Sequence, residues 1–376
     1  MKICVVTSGF PTKRSANSIF VVKLCEQWAD QGHEVTIVTP QSLTNILIGK
    51  SGRTAKAFTY TTPGGSTINV YRPRIITFSN ISLLRGLKNW LRRRAIANAV
   101  KRIGQQDAYY CHFWNNAYDL YKAIGQQAKP LFVATGESSI KLRVADEGFR
   151  QAVSGVVCVS TKNMEESIGL GLTSKEKCIV LPNAIDTNVF HKMDKQQCRQ
   201  ELGIDPQLFV VIYVGQFLHR KGYDRLAAAI DKLNDPEIGV VFLGKAKEGK
   251  EPLCKGLIYQ GFTNQKEIAR YLNAADVFVL PTQAEGCCNA IVEAMACGLP
   301  IISSDLPFNH DILDSNNALL INPNSVEQIA EAIKTIKDNK ALQASLAAQS
   351  LEKAQRLALP DRAQRIITFI NSKIEK

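Results

Sequence analysis

The chain has 376 residues, 45% of them hydrophobic, a length that favours two domains over one core and a composition that excludes disorder. No run of about 18 apolar residues is present, which argues against a membrane-spanning helix. The net charge of +12 is concentrated in one region: no acidic residue occurs between Glu34 and Asp107, a stretch holding twelve Lys and Arg. Taking those twelve from the 46 basic residues leaves 34, equal to the 34 acidic ones, so the excess belongs to one patch and points to an anionic partner there. The ten cysteines show no CxxC pair and no zinc-like spacing with His, which reads as free thiols in a reducing compartment.

The amino-terminal Met1–Thr7 segment lacks the long apolar stretch of a signal peptide and reads as a first strand. In the first half, buried strands are expected at 2–7, 34–39, 67–71, 107–112, 131–134 and 155–160. They are short, rich in β-branched residues and bounded by Gly, Pro or polar residues. Helical periodicity occupies 18–31, 84–103 and 162–170. The pattern then restarts with LFVVIYVG at 208–215, the most apolar strand of the chain. Strands follow at 239–244, 257–261, 277–280, 299–303 and 318–321. Asn264 and Glu267 have capping-box spacing at the start of a helix over 265–273. The segment 361–376 is one more amphipathic helix. Short buried strands alternating with helices predict two doubly wound parallel-sheet domains, 1–185 and 186–360, with the last helix packing back on the first. Ligands of such sheets bind beyond the carboxyl ends of the strands, so a cleft between two such domains is the expected site.

The segment PTQAEGCCNAIVEAMACGLPII (281–302) sets two glutamates eight residues apart within an otherwise small and apolar stretch. A strand ends at Pro281, and a helix capped by Asn289 is expected to stop at Gly298 before Pro300. Glu285 then lies in the loop and Glu293 one turn inside the helix. Gly286, Cys287, Cys288, Asn289 and Ala290 present backbone amides and a helix dipole, which suits phosphate.

EGCCNAIVEAMACGLPII resembles the E-x7-E segment of the family-4 retaining glycosyltransferases, which have the GT-B architecture of two Rossmann-like domains and use nucleotide-diphospho-sugar donors. The resemblance implies that Glu285 contacts hydroxyls of the transferred sugar, that the amides of 286–290 hold sugar and diphosphate, and that Glu293 binds the ribose. The family's usual Phe-Gly is Cys287-Cys288 here. YVGQFLHRKGYDRLAAAI (213–230) resembles the family's VGR…KG segment. Gly215 and Lys221 match, Gln216 stands for the usual Arg, and Arg220 is a second cation for the pyrophosphate. CIVLPNAIDTNVF (178–190) is similar to the interdomain PNGID segment, with Ala184 for Gly. QGFTNQKEIARYLNAADVFVLPT resembles the base-binding region, which implies that Phe262 and Thr263 meet the nucleobase.

The first half matches more loosely. TSGFPTKRSANSIF resembles the family's loop before the first helix, so Gly9, Phe10 and Ser18 are expected on the acceptor side, Ser18 replacing a Gly. DAYYCHFW resembles the strand ending in a histidine, which makes His112 a catalytic candidate. ATGESS stands where the family often has His-Gly: Gly136 matches, Thr135 replaces the His, and the role of Glu137 is open. Arg85, Lys88, Arg92, Arg93 and Arg94 surround Leu83, Leu84, Leu87, Trp90 and Leu91. This reads as a helix lying on an anionic membrane surface, against the plainer reading of a core-packed helix with a solvated basic face.

The expected function is therefore retaining transfer of a sugar from a nucleotide-diphospho-sugar, UDP- or GDP-linked, to a glycan or lipid-linked acceptor of cell-surface polysaccharide synthesis. No metal or cofactor is expected. Lys221 and helix amides would meet the pyrophosphate charge. The expected location is the cytoplasmic face of the cell membrane, with no nucleic-acid partner, since base-stacking aromatics and known reading motifs are lacking. The rivals are a GT-B nucleotide-sugar epimerase and a non-catalytic membrane- or polyanion-binding protein. An oxidoreductase is disfavoured because TSGFPTKRSAN supplies no GxGxxG.

Overall fold

The structure is a computed structural model describing residues 1–11, 18–49, 52–77, 84–144, 146–246 and 251–374. The chain divides into two compact units. Unit 1 comprises Met1–Val159, Asn163–Leu181 and Arg362–Lys376, and unit 2 comprises Ser160–Lys162 and Pro182–Asp361.

Unit 1 contains, in chain order, β1 (Lys2–Val6), α1 (Ile19–Asp30), β2 (Glu34–Val38), β3 (Gln41–Ser42), α2 (Leu43–Leu47), β4 (Ala57–Thr61), β5 (Thr67–Tyr71) and β6 (Arg74–Ile75). It continues with α3 (Arg85–Ile103), β7 (Ala108–His112), α4 (Trp114–Ile124), β8 (Leu131–Thr135), α5 (Glu147–Ala152), β9 (Val153–Cys158), α6 (Thr161–Gly169) and β10 (Cys178–Val180). The main sheet has the order β10-β9-β8-β7-β1-β2-β5-β4, and β3 pairs with β6 apart from it. Every pair in the main sheet is parallel except β4 with β5.

The central strands of this sheet are buried along their whole length, as strands covered on both faces must be. Trp28, Leu24 and Ile366 belong to one core cluster, and Trp114, Phe149 and Ile96 to another. Alternate residues of β1 divide between them, Ile3 and Val5 in the first and Cys4 and Val6 in the second.

Unit 2 contains α7 (Lys195–Leu202), β11 (Phe209–Val214), α8 (Tyr223–Leu233), β12 (Ile238–Leu243), β13 (Leu257–Gly261), α9 (Gln265–Ala274) and β14 (Val277–Leu280). It continues with α10 (Asn289–Ala296), β15 (Ile301–Ser304), β16 (Ala318–Ile321), α11 (Val326–Asp338) and α12 (Lys340–Gln355). Its sheet is wholly parallel, in the order β13-β12-β11-β14-β15-β16. Six consecutive apolar residues of β11 are all buried. Asn264 caps α9 by accepting the Glu267 amide at 3.1 Å, as the spacing predicts. The last helix, α13 (Leu359–Ile374), packs Ala363, Ile366, Ile367 and Ile370 into the first core cluster of unit 1. The Trp28 indole also donates to the Ala363 carbonyl at 3.1 Å.

Several elements escape the sequence pattern, β4 and α4 among them. β4 alternates exposed and half-buried residues along a sheet edge, so it lacks the apolar run that marks its neighbours. α4 begins at Trp114 with no capping side chain, so its start carries no helix signal, although Trp114, Ala117 and Leu120 recur at helical spacing.

Candidate functional site

In unit 2, β11 and β14 lie side by side, with Val211 opposite Val277 and Ile212 opposite Phe278. The chain leaves β11 toward β12 on one side and β14 toward β15 on the other. This is a topological switch point, where the loops beyond the strand ends part and leave room for a ligand. The loops concerned are 215–222 and 281–288, and they carry most of the candidate donor residues.

Lys221 Nζ forms an ion pair with Glu285 Oε1, each side chain only 13% and 12% exposed. Arg220 Nη1 lies 3.5 Å from the same oxygen, and the Thr282 hydroxyl donates to it at 3.1 Å. Arg220 also donates to the Ala284 carbonyl at 2.7 Å, and the Gln283 amide donates to the Arg220 carbonyl at 2.8 Å. The two loops are thus stitched together around one carboxylate.

Arg225 supports the stitching from below. Its guanidinium donates to the carbonyls of His219 at 2.8 Å, Pro281 at 2.9 Å and Pro323 at 2.6 Å. Gly222 joins Lys221 to α8 with φ +79, and a Cβ there would stand 2.4 Å from the Pro281 oxygen. Only glycine meets both demands. Gly215 lies against Gly244, where an added Cβ would come within 1.9 Å of the Gly215 oxygen. Gln216 is exposed, and its carbonyl accepts the Tyr213 hydroxyl at 2.9 Å.

The start of α10 corrects the expected cap. Cys288 is the N-cap residue, with extended backbone, and Asn289 is the first helical residue. The Asn289 side chain is engaged elsewhere, since Asn183 donates to its Oδ1 at 2.7 Å and to the Cys287 carbonyl at 2.9 Å. Gly286, Cys287 and Cys288 are buried, Ala290 is half-buried, and burial pushes the Cys288 thiol up to about 11, so it is a neutral wall of the loop at physiological pH. Glu293, on α10, is half-buried, and its apolar surroundings push its carboxyl up to about 7. Phe262 is 62% exposed with Lys245 Nζ 3.9 Å from its ring centre, and Thr263 is half-buried beside it.

Unit 1 has its own switch point between β1 and β7, where Val6 lies opposite Cys111. His112 ends β7, 6% exposed, with its ring against Phe20, Tyr110 and Phe113 at centroid distances of 5.1, 6.1 and 4.9 Å. Its Nδ1 is buried and makes no hydrogen bond. Burial first, and the nearby Arg362 second, push the imidazole down to about 3, so it is neutral.

Ser18 caps α1 in the left-handed region at φ 61, a conformation glycine adopts freely. Its hydroxyl accepts from Thr7 at 3.4 Å. Gly9 is half-buried, whereas Phe10 is not a loop-surface residue: its ring packs in the first core cluster edge-on to Phe58 and Tyr60, because burying the ring outweighs leaving it on the loop. Residues 12–17 of the expected acceptor loop lie outside the described residues. Glu137 is held by its neighbours: its carboxylate accepts the Thr135 hydroxyl at 2.6 Å and the Gly136 amide at 3.0 Å, while burial pushes its pKa up from the ordinary carboxylate value.

The basic helix α3 departs from the expected membrane face at Arg92 and Arg93. Its buried residues are Ile96, Ala99 and Val100 in the second half, while Leu87 is 45% and Trp90 51% exposed. Arg92 and Arg93 turn to α4, each with Nε on the Asp119 carboxylate, at 2.8 and 3.0 Å. They satisfy a buried-side acid and do not project as free charges. Lys88 and Arg94 are exposed, with the Arg94 guanidinium 5.2 Å from the Trp90 ring centre. Leu83 and the Arg85 side chain lie outside the described residues.

Sequence reasoning missed Thr282, Asn183 and Arg225. Asn183 stands in the PNAID segment, whose resemblance gave it no role, and Arg225 looks like any surface arginine of an amphipathic helix. Among the described residues no three His, Cys, Asp or Glu side chains gather as metal ligands.

Residues 18–189 match the model of Glycosyltransferase Family 4, and residues 194–353 match that of Glycosyl transferases group 1. A Bacillus subtilis protein named as a glycosyltransferase of teichuronic acid biosynthesis is 28% identical over 356 residues, covering 89% of this chain and 88% of the relative. Sucrose-phosphate synthase from Thermosynechococcus elongatus superposes with a TM-score of 0.78 at 18% identity, covering 98% of each chain. Anabaena HepE, solved in complex with UDP-glucose, superposes with a TM-score of 0.71 at 19% identity, covering 99% of this chain and 100% of that one. The two family matches, which between them leave little of the chain uncovered, indicate with the Bacillus subtilis relative a family-4 glycosyltransferase, and the solved structures share its GT-B fold.

Proposed function

We propose that the protein transfers a sugar from a nucleotide-diphospho-sugar to an acceptor hydroxyl with retention of anomeric configuration. The observation that carries this reading is the Lys221–Glu285 pair at the unit 2 switch point, one loop offering a cation and the other a carboxylate beside the start of α10. When donor binds, the diphosphate competes for Lys221, and Glu285 is released to accept hydrogen bonds from sugar hydroxyls. Lys221, Arg220 and the amides of 286–290 then meet the charge that develops on the leaving diphosphate, with no metal required. Departing phosphate oxygen takes the acceptor's proton, since no second carboxylate stands beside Glu285 as a nucleophile among the described residues. Glu293 would hold the ribose, and Gly215 and Gln216 would line the phosphates. Phe262 and Thr263 would meet the base.

The acceptor roles fall to unit 1. His112, neutral and with an unused Nδ1, would hydrogen-bond the transferred sugar or the acceptor. Gly9 and Ser18 would flank it. The acceptor is a glycan or lipid-linked glycan of surface-polymer synthesis, a reading supported by the name of the Bacillus subtilis relative. Exposed Leu87 and Trp90 with Lys88 and Arg94 would hold the protein at an anionic membrane face on the cytoplasmic side.

The test is nucleotide release from UDP-, GDP- and ADP-sugars over a lipid extract, with Glu285→Ala in parallel and the product's anomeric configuration read by NMR. Release from one donor, lost in the variant, with configuration kept, is the expected result. An inverted product would sink the reading.

A further inference from the structure

A second cationic site lies in unit 1, beside α3. A cavity of about 370 Å³ opens between α3 and the β5–β6 segment. Four basic side chains line it, Lys56, Arg74, Arg94 and Arg102, together with Tyr71 and Asn98. No Asp or Glu belongs to the lining. On α3, Arg94, Asn98 and Arg102 recur every four residues and so share one face. The arginines of the opposite face, Arg92 and Arg93, are the ones that Asp119 neutralises. None of the four lining cations forms an ion pair with an acid among the described residues. Arg74 spends one Nη2 donor on the Thr54 carbonyl at 3.3 Å, and its Nε is buried without a partner.

Four like charges around one cavity repel one another, and a buried guanidinium donor left unused costs free energy. A ligand with several acceptor oxygens and more than one negative charge relieves both. Guanidinium groups match phosphate oxygens in paired hydrogen bonds, and three of the four cations are arginines. Asn98 and the Tyr71 hydroxyl add neutral polar groups beside the charges, and the cavity has room for more than a bare ion. We propose that this cavity binds a phosphate group carried on a small polar body, such as a phosphorylated glycerol or sugar. The proposal is independent of the sugar-transfer reading, because it shares no residue with the donor or acceptor roles, only Arg94 with the membrane contact, and its test measures binding without donor.

The experiment titrates the full chain with inorganic phosphate by calorimetry at fixed ionic strength. The same titration is made on Arg102→Gln, whose side chain is exposed and forms no hydrogen bond or ion pair among the described residues, and on Arg74→Gln. Co-sedimentation with phosphatidylglycerol and phosphatidylcholine vesicles is run on the same three proteins. Saturable phosphate binding, weakened tenfold or more in both variants, is the expected result. If the variants also lose phosphatidylglycerol vesicles, and phosphate displaces the vesicles, the phosphate is that of a lipid headgroup. If vesicle binding is unchanged while phosphate binding is lost, the ligand is a soluble phosphate ester. No saturable phosphate binding, or equal binding by all three proteins, overturns the proposal.

Discussion

Lys221 and Glu285 come from loops on adjacent strands and neutralise one another inside unit 2, each nearly buried. The pair is a poised arrangement. Under the proposed function, an incoming diphosphate would find a cation already held in place, and the carboxylate that held it would become available to the sugar. Replacing one partner leaves the other charge buried and alone, which is costlier than removing both. The expected order of melting temperatures is therefore Lys221→Ala below the Lys221→Ala/Glu285→Ala double variant. Both are expected to lose about 10²-fold or more in kcat, roughly 3 kcal/mol, since each lacks a group stabilising developing charge. Differential scanning calorimetry with steady-state kinetics checks both parts.

Glu293 gives a pH signature. Its carboxyl is raised from 4.5 to about 7 by burial. The folded state therefore holds a proton that the unfolded state has already released. The stability this supplies is complete below pH 4.5 and is lost as pH rises through 7. Glu293→Gln should melt above the wild type at pH 8, by an amount up to about 3 kcal/mol, and the difference should shrink toward pH 5. Melting curves of the two proteins from pH 5 to 8.5 are the check. A constant difference would show that burial does not set this carboxyl.

Gly222→Ala tests the junction of the two loops. The substitution strains a residue at φ +79 and drives a methyl against the Pro281 oxygen. Destabilisation of about 2 kcal/mol or more is expected from strain and clash together, with a raised KM for donor. Urea denaturation and donor kinetics would measure it. Gly86→Ala, where an added Cβ meets nothing within 4 Å, is the control.

The two sides of α3 should separate in one experiment. Leu87→Ser/Trp90→Ser is expected to weaken anionic-vesicle binding with little change in melting temperature, because both side chains are largely exposed. Arg92→Gln/Arg93→Gln should lower the melting temperature by freeing Asp119, while vesicle binding falls much less than the loss of two charges would suggest. Equal loss of vesicle binding in both variants would return the whole helix to the membrane face.

The positions of the strands along the chain were legible because short apolar and β-branched runs mark them, and β5, β13, β14 and β16 have the boundaries that the runs predict. The donor loops were legible for a different reason: Glu285, Lys221 and the glycines resemble a family pattern, and the strand–loop–helix setting gives that pattern its chemistry. What stayed hidden depends on distant partners. Nothing near Phe10 in the sequence announces that Phe58 and Tyr60 will take its ring. Arg92 and Arg93 look like Arg94 until α4 brings Asp119 against two of the three. The cap of α10 was misplaced because Asn289 is a good capping residue, yet its side chain is already claimed by Asn183.

The three-pronged grip of Arg225 bears on how such a site changes over time. It holds the His219, Pro281 and Pro323 segments by their carbonyl oxygens, which every amino acid possesses. Away from Gly222, this anchoring of the loops does not depend on the side chains they carry. Gln216 and the Cys287-Cys288 pair therefore occupy positions that can be exchanged without rebuilding the scaffold. A repertoire of donor preferences can be explored by point substitution on a backbone anchored from the helix behind it.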